Sequence, residues 1–155
     1  IDPAMIDTIS RQEIDRLLFH VMAAIYHFEQ HKMALFNLNF EAFYLLFFLR
    51  QRSSASVGEI AKELGVHIST ASRAVDRLEK RGLVSRKKNP KDRRTILVCL
   101  EPEGEHMVML SQNDSYDLIK NNIEKYHLTD IKAFRKTAAV MGELLNTRPL
   151  SSETE

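Results

Sequence analysis

Residues 56–104 read SVGEIAKELGVHISTASRAVDRLEKRGLVSRKKNPKDRRTILVCLEPEG, and the order of predicted elements in this segment is typical of one fold. Ser56 and Glu59 have the spacing of a helix-capping box, and Gly65 marks the end of the short helix that they begin. A short turn then leads into a second helix, whose apolar residues recur at helical intervals. Two helices joined in this way predict a helix-turn-helix.

A basic hairpin is predicted directly after the second helix. Residues 83–87 and 95–100 have the composition of two strands, and the polar segment 88–94 between them carries four of the Lys and Arg residues. These features predict two antiparallel strands joined by a long, positively charged tip. A helix-turn-helix followed by such a hairpin is a winged helix-turn-helix.

Longer helices flank this region. Ser10 and Glu13 repeat the capping-box spacing and predict a helix from about residue 11 to residue 35. Asn39 is placed to cap a second, almost wholly apolar helix that should lie in the core. Pro102 opens a third helix, and a fourth begins near Thr129.

The predicted fold class is mainly α with a small β-hairpin wing. We assign residues 5–37 to an N-terminal dimerisation helix, residues 38–101 to the winged helix-turn-helix lobe, and residues 102–148 to C-terminal dimerisation helices. The terminal helices carry apolar stripes that the small lobe cannot cover alone, so the sequence predicts a homodimer.

Charge is distributed unevenly along the 155 residues. The chain as a whole has a net charge of +1, but residues 50–100 hold 13 Lys and Arg against 5 Asp and Glu. A basic middle between acidic ends predicts a polyanion as partner. The five glycines form no phosphate-binding loop and no nucleophile with its base is recognisable, so no enzyme and no cofactor is predicted.

Cysteine usage and hydropathy bear on location. The single cysteine, Cys99, excludes an internal disulfide framework. No apolar run approaches the roughly 18 residues of a membrane span. We therefore expect a cytoplasmic protein without a membrane partner.

The second helix of the helix-turn-helix is the expected DNA reader. An α-helix fits the major groove, where hydroxyls near its N-terminus meet base edges and Arg73 can reach guanine with two hydrogen bonds. Cations further along the helix and in the wing are expected to contact phosphates or the minor groove. The predicted DNA-binding residues are Ser69, Thr70, Ser72, Arg73, Arg77, Lys80, Lys88, Lys91, Arg93 and Arg94.

Residues 56–104 closely resemble the MarR family of transcriptional regulators. The resemblance is carried by Ser69 and Thr70, the run 75–79, the run 82–84 and the wing sequence Asp-Arg-Arg at 92–94. It implies a homodimer whose terminal helices interlock and whose recognition helices each read half of a palindrome in double-stranded DNA. It also implies a small, commonly aromatic, effector between the dimer helices and the lobe. A repressor is the expected role, with activation as the alternative.

Two wing residues are interpreted through the resemblance. Asp92 is expected to stabilise the wing by pairing with a wing arginine, and the alternative is an Asp that forms a turn. The family usually places a threonine before the helix after the wing, whereas this chain has Glu101 there.

Other residues have alternative interpretations. Tyr26, Phe43 and Phe47 are candidates for an effector pocket, although aromatic residues at helical spacing usually belong to a core. The pair His27 and His31 suggests a zinc-responsive regulator of the same fold, but no further ligand has a matching spacing, and no metal site is assigned. Cys99 is interpreted as a packed core thiol rather than an oxidation sensor. A winged-helix protein-interaction module without DNA binding is a further alternative.

Overall fold

The computed structural model describes residues 10–92, 94–145 and 147. Its elements are α1 (Arg11–Phe36), α2 (Phe40–Arg52), β1 (Ser54–Ser56), α3 (Val57–Leu64), α4 (Ile68–Lys80), β2 (Val84–Lys88), β3 (Ile96–Leu100), α5 (Pro102–Ile123), α6 (Leu128–Ala139) and α7 (Met141–Leu144). The mainly helical fold with a small antiparallel sheet agrees with the predicted fold class.

Local capping fixes where the helices begin. The hydroxyl of Ser10 accepts a hydrogen bond from the Glu13 N–H while the Glu13 carboxylate accepts one from the Ser10 N–H, which forms the predicted capping box. The side chain of Asn39 accepts a hydrogen bond from the Ala42 N–H at 3.0 Å and starts α2. These contacts satisfy N–H groups that have no partner inside the helix.

The hydrophobic core is built around α2. Five of its residues are buried, and they pack against the inner faces of α3 and α4 and against the sheet. The buried residues of these four elements are Phe43, Leu45, Leu46, Phe48, Leu49, Ile60, Ala61, Ala71, Ala74, Val75, Leu78, Ala55, Val84 and Val98. The predicted central position of the second helix is confirmed.

The predicted hairpin is part of a three-stranded sheet. The strand order is β1-β3-β2, with Val84 opposite Leu100 and Ala55 opposite Val98 in antiparallel register. The sequence prediction missed β1, because Ser54-Ala55-Ser56 is only three residues long and contains no β-branched or aromatic residue. Since β3 lies in the middle, the wing strand β2 has one open edge.

Cys99 lies beside the core rather than in it. Val98 is the fully buried residue of β3, and the alternation of side chains across a strand places Cys99 on the other face, where it is half-buried. The interpretation of Cys99 as a packed core thiol is therefore wrong.

The chain divides into two compact units. The first extends to Gln112 and the second begins at Asn113. This boundary lies inside α5, not at the predicted segment boundaries of residues 37 and 101. The dimerisation roles of the end segments remain a prediction, and the parts of those segments at residues 5–9, 146 and 148 lie outside the described residues.

The last predicted helix is interrupted. We expected one stripe through Phe134, Ala138, Met141 and Leu145, but α6 ends at Ala139, and Val140 has φ −104° and ψ 6° before α7 begins. The stripe prediction was wrong because apolar spacing continues across the break and does not report the backbone angles at Val140.

The helices α1 and α6 leave apolar side chains uncovered in the single chain. The exposed residues of α1 include Leu17, Val21, Met22 and Ile25. No residue of α6 is buried, and Phe134 is 75% exposed.

No single helix in the described part of the chain is long and apolar enough to cross a membrane. The combination of α1 and α2 passes that test only as a pair bent by 81°.

Candidate nucleic-acid interface

The helix-turn-helix is formed by α3, its turn and α4. Ser56 and Glu59 form the predicted capping box at the start of α3. Gly65 ends this helix with φ +64°, a left-handed conformation that glycine adopts without steric cost. The ring of His67 then accepts a hydrogen bond from the Ser69 N–H at 3.3 Å and caps α4. Local sequence signals therefore set the turn that presents α4.

One face of α4 is buried and the opposite face is open to solvent. The buried residues Ala71, Ala74, Val75 and Leu78 hold the helix on the core. Five of the six predicted DNA-binding residues on α4 are exposed, namely Ser69, Thr70, Arg73, Arg77 and Lys80. Ser72, the sixth, is half-buried and faces Arg86, whose Nη2 lies 3.5 Å from its Oγ. Ser72 therefore points toward the wing.

Two of the exposed residues already have partners. The Arg77 guanidinium lies 3.4 Å from a carboxylate oxygen of Glu41 in the first turn of α2. The hydroxyl of Ser69 is 2.9 Å from Nδ1 of His67. A DNA phosphate that binds Arg77 would therefore compete with the Glu41 carboxylate.

The wing carries exposed cations on a structured tip. Lys88, Lys91 and Arg94 are exposed, while Arg93 lies outside the described residues. The Asn89 N–H donates to the Thr95 carbonyl at 2.9 Å and closes the base of the tip. Lys88, Lys91 and Arg94 belong to the same compact unit as α4.

Asp92 organises the backbone of this tip. Its carboxylate accepts hydrogen bonds from the Arg94 N–H at 3.0 Å and from the Thr95 hydroxyl at 2.9 Å. This is the geometry of a turn-forming Asp. Asp92 therefore contacts the backbone N–H of Arg94, whereas the expected contact was with the side chain of a wing arginine.

Sequence reasoning missed Arg86, which connects the wing to α4. Its guanidinium lies 2.7 Å from Asp76, forms a short ion pair with Glu79, and lies 3.4 Å from the carbonyl of Ser72. Burial lowers the pKa of Arg86, but the hydrogen bonds that its guanidinium donates to Asp76 and Glu79 outweigh burial and raise the pKa overall. The carboxylates of Asp76 and Glu79 on α4 are visible in the sequence, but the sequence does not show that the side chain of a strand residue forms ion pairs with them.

Glu101 links the base of the wing to the start of α5. Its carboxylate accepts a short hydrogen bond from the Ser85 hydroxyl and forms an ion pair with Lys87 at 2.9 Å. The hydrogen bond from Ser85 and, next, that from Lys87 lower the pKa of Glu101. The residue that departs from the family pattern therefore has its own partners on β2.

Arg81 connects the end of α4 to the end of α1. It caps the C-terminal end of α4, and its guanidinium donates hydrogen bonds to the carbonyls of Phe36 and Asn37. These carbonyls belong to the end of α1, which has no basic residue in its own last turn. Arg81 therefore supplies the cation that a helix C-terminus favours.

The three predicted effector residues do not form one pocket. Phe43 is buried in the core, where its ring packs edge-on against Phe36 at 5.6 Å. Phe47 is partly buried against the same core, whereas Tyr26 is 60% exposed. Tyr26 lines a cleft with Ile25 and Phe40 to which neither Phe43 nor Phe47 contributes. Helical spacing did not reveal that these rings point to different faces.

A different cavity adjoins α4. It has a volume of about 280 Å³ and lies between the end of α1, the start of α2 and the inner side of α4. Its lining combines apolar side chains, such as Leu38 and Leu78, with the charged side chains of Arg77, Arg81 and Glu41. In the described part of the chain, no three His, Cys, Asp or Glu side chains are grouped so that they could hold a metal ion.

Comparison with known proteins finds relatives that are named as transcriptional regulators. Residues 38–96 match the family model for the MarR family. The HTH-type transcriptional regulator YsmB of Bacillus subtilis is 26% identical over 125 residues, covering 81% of this chain and 86% of YsmB. The HTH-type transcriptional regulator Hpr of Bacillus licheniformis is 36% identical over 90 residues, covering 58% of this chain and 43% of Hpr. The DNA-binding transcriptional repressor ScoC of Bacillus subtilis is 34% identical over 98 residues, covering 60% and 48%. The match thus spans less than half of Hpr and of ScoC.

Solved structures show the same fold. A MarR family protein from Bacillus stearothermophilus superposes with a TM-score of 0.77 at 20% identity, covering 88% of this chain and 95% of that protein. FabT of Streptococcus pneumoniae, solved in complex with DNA, superposes with a TM-score of 0.73 at 16% identity, covering 88% and 98%.

Proposed function

We propose that this chain is a winged helix-turn-helix transcriptional regulator of the MarR type, and that it represses transcription by binding a palindromic operator as a homodimer that a small-molecule effector releases. The match to the MarR family model and the similarity to Hpr and ScoC, which are named as transcriptional regulators, support a DNA-binding regulator rather than an enzyme. Repression is supported by the similarity to ScoC, which is named as a repressor.

The observation that carries this proposal is the shared placement of α4 and the wing. One compact unit holds a recognition helix with exposed Arg73 and a wing with exposed Lys88, Lys91 and Arg94. Base edges in the major groove specify a sequence, whereas phosphate contacts position the protein. The arrangement supplies both kinds of contact.

A homodimer is supported by the uncovered apolar side chains of α1 and α6. Met22 and Phe134 are among the exposed side chains that water would otherwise surround. A symmetric dimer presents two recognition helices, and they enter successive major grooves when their centres are about 34 Å apart. A two-fold protein axis therefore requires an operator whose half-sites are inverted repeats.

Selection of bound duplexes from a random pool tests this function. We expect enrichment of one inverted repeat, with half-sites about one helical turn apart. Binding of the selected duplex and of a random duplex should be compared at two salt concentrations, since non-specific binding is almost wholly electrostatic. Enrichment of a single half-site would contradict the dimeric reader. Absence of any duplex binding would favour a protein-interaction module.

The cavity beside α4 supports release by an effector. A small organic anion would place its charge near Arg77 and Arg81 and its apolar body over Leu38 and Ala42. Such a ligand must bind the free protein more tightly than the DNA-bound protein if it is to release the operator. A coupling of about 1–3 kcal/mol gives a 5- to 150-fold loss of operator affinity.

Titration of salicylate into a preformed operator complex tests the effector. We expect release by salicylate from the wild type and weaker release from Ala42→Leu, because the larger side chain fills the cavity. The control is Phe43→Leu, a milder change of a buried core residue that does not line this cavity. Equal release from Ala42→Leu and the wild type would contradict this site. Failure of salicylate and other aromatic anions to release the wild type would contradict this effector class.

A further inference from the structure

Arg86 lies in the strand that leads to the wing tip but its side chain turns back to the recognition helix. Its guanidinium binds Asp76 at 2.7 Å and Glu79 at close range, and its backbone N–H donates to the other Glu79 oxygen at 3.1 Å. The residue therefore binds two carboxylates of α4 with both side chain and backbone. Charge-assisted contacts of this kind are stronger and more directional than neutral hydrogen bonds.

These contacts close the open edge of the wing strand. In the sheet order β1-β3-β2, the side of β2 that faces away from β3 has no strand partner. Glu79 accepts the Arg86 N–H there, so a helix side chain takes the place of a neighbouring strand. The hairpin is thereby tied to α4 at the middle of β2, with the wing tip extending beyond the tie.

The burial of Arg86 separates it from the DNA-contacting cations. Its side chain is 25% exposed, compared with 62% for Arg77. A planar guanidinium matches carboxylates in a fixed orientation, which a lysine ammonium does not. Arg86 is therefore built to hold two elements in a fixed relation rather than to meet a phosphate.

We propose that Arg86 is a positioning residue of DNA binding, which fixes the wing to the recognition helix so that the wing-tip cations and α4 reach the DNA together. The proposal rests on the proposed DNA-binding function. The direct contacts to DNA come from the wing tip and α4, and Arg86 acts through both.

A double-mutant cycle on the selected operator tests this role. The first change is Arg86→Met, which keeps the apolar stem and removes the guanidinium. The second is the combined removal of the wing-tip cations, Lys91→Ala with Arg94→Ala. In the wild-type background we expect the tip change to weaken binding by about tenfold or more, since each phosphate contact adds to affinity. In the Arg86→Met background the same tip change should cost less than about threefold, because a loose wing no longer holds its cations on the DNA.

A second pair of changes loosens the contact from the opposite side. Asp76→Asn with Glu79→Gln removes two negative charges from the recognition helix, so simple electrostatics predicts tighter binding to any duplex. The positioning role instead predicts that the tip change loses most of its effect in this background as well. Both backgrounds must retain cooperative thermal unfolding. If Arg86→Met does not fold, Asp76→Asn with Glu79→Gln provides the same test.

The control is Arg50→Met. Arg50 binds Glu105 at 2.8 Å and Gln112, which both lie on α5, and its side chain is 34% exposed. It should lower stability while leaving the tip change at its full effect. Equal effects of the tip change in all backgrounds would overturn the positioning role of Arg86. Failure of the wild type itself to bind duplex DNA would overturn the proposed function instead.

Discussion

Arg73 and Lys88 are predicted to have different roles in DNA binding: Arg73 recognises a base, and Lys88 contacts a phosphate. Both are exposed, one on the recognition helix and one at the end of β2. Arg73→Ala should cost about 1–3 kcal/mol and relax the preference at one base pair in each half-site, because a bidentate guanine contact is lost. Lys88→Ala should weaken all duplexes alike and reduce the salt slope by about one. Equilibrium binding to operator variants measures both, and an equal loss on specific and random DNA for the two variants would reject Arg73 as a base reader.

Glu41 is expected to compete with DNA for Arg77. The pair is solvent-exposed at 3.4 Å, so its contribution to folding stability is small, about 0–1 kcal/mol. Glu41→Gln removes the competing charge and should raise the affinity for every duplex by about two- to fivefold. Fluorescence anisotropy on a random duplex measures this change. Glu105→Gln, which removes the partner of Arg50, should leave affinity unchanged. An equal gain in both variants would mean that overall charge, not the release of Arg77, is responsible.

At the scale of elements, the start of α5 packs without space against the turn after α4. A Cβ added to Gly104 would lie 2.2 Å from the Leu83 carbonyl oxygen and 2.8 Å from a methyl group of Leu100. Gly104→Ala should therefore destabilise the fold by about 1–3 kcal/mol or more, as overpacking does.

Gly58 provides the matched substitution. A Cβ there meets nothing closer than the Ser56 hydroxyl at 3.9 Å, so Gly58→Ala in α3 should stabilise by about 0.4–1 kcal/mol. Urea unfolding of both variants measures the contrast. A neutral Gly104→Ala would show that the helix start moves away from Leu83 at little cost.

The junction between the wing and α5 should respond to acid. Contacts with Ser85 and Lys87 lower the pKa of Glu101 in the folded state. A lowered pKa means that the carboxylate stabilises the fold above its unfolded pKa of about 4.3 and loses this effect as the pH falls through the folded value. The stability difference between the wild type and Glu101→Gln should therefore shrink between about pH 6 and about pH 3. Denaturant midpoints across this range measure the difference, and a constant value would contradict the assignment.

Elements defined by local chemistry were predictable from sequence. Capping boxes at Ser10 and Ser56 depend on residues three positions apart, so the helix starts were placed correctly. By contrast, β1 exists only because β3 pairs with it, and nothing in Ser54-Ala55-Ser56 reports that partner. The break at Val140 was missed because apolar spacing carries no information about a single pair of backbone angles.

The candidate site was likewise predictable only where it depends on local sequence. Exposure of the cations on α4 follows from helical periodicity, and the prediction placed them on the solvent face. The contacts of Arg86 depend on how a strand packs against a helix, which periodicity does not specify. Tyr26 and Phe43 lie apart in the single chain, and the spacing of aromatic residues does not state which face of α1 or α2 each one occupies.

At the scale of the whole molecule, the exposed apolar side chains determine the association state. Leu17, Met22 and Phe134 are each more than 60% exposed in the single chain. Burial of such surface is the main driving force for association. Light scattering at micromolar concentration should therefore give twice the chain mass of 17.9 kDa. The variant Leu17→Glu with Met22→Glu should shift the equilibrium toward monomer and weaken operator binding, whereas a wild-type mass of 17.9 kDa would contradict the dimer.

The hydrogen bonds from Arg81 to Phe36 and Asn37 join the end of α1 to the end of α4, so a tilt of α1 would be transmitted to α4. The helix has 26 residues and a length of about 39 Å, and its end is fastened to the end of the recognition helix. A rotation of about 5° at the far end displaces the fastened end by about 3 Å, close to the rise of one base pair. Mechanical amplification of this kind would let a slight change of angle at the Ser10 end shift α4 out of register with the bases it reads.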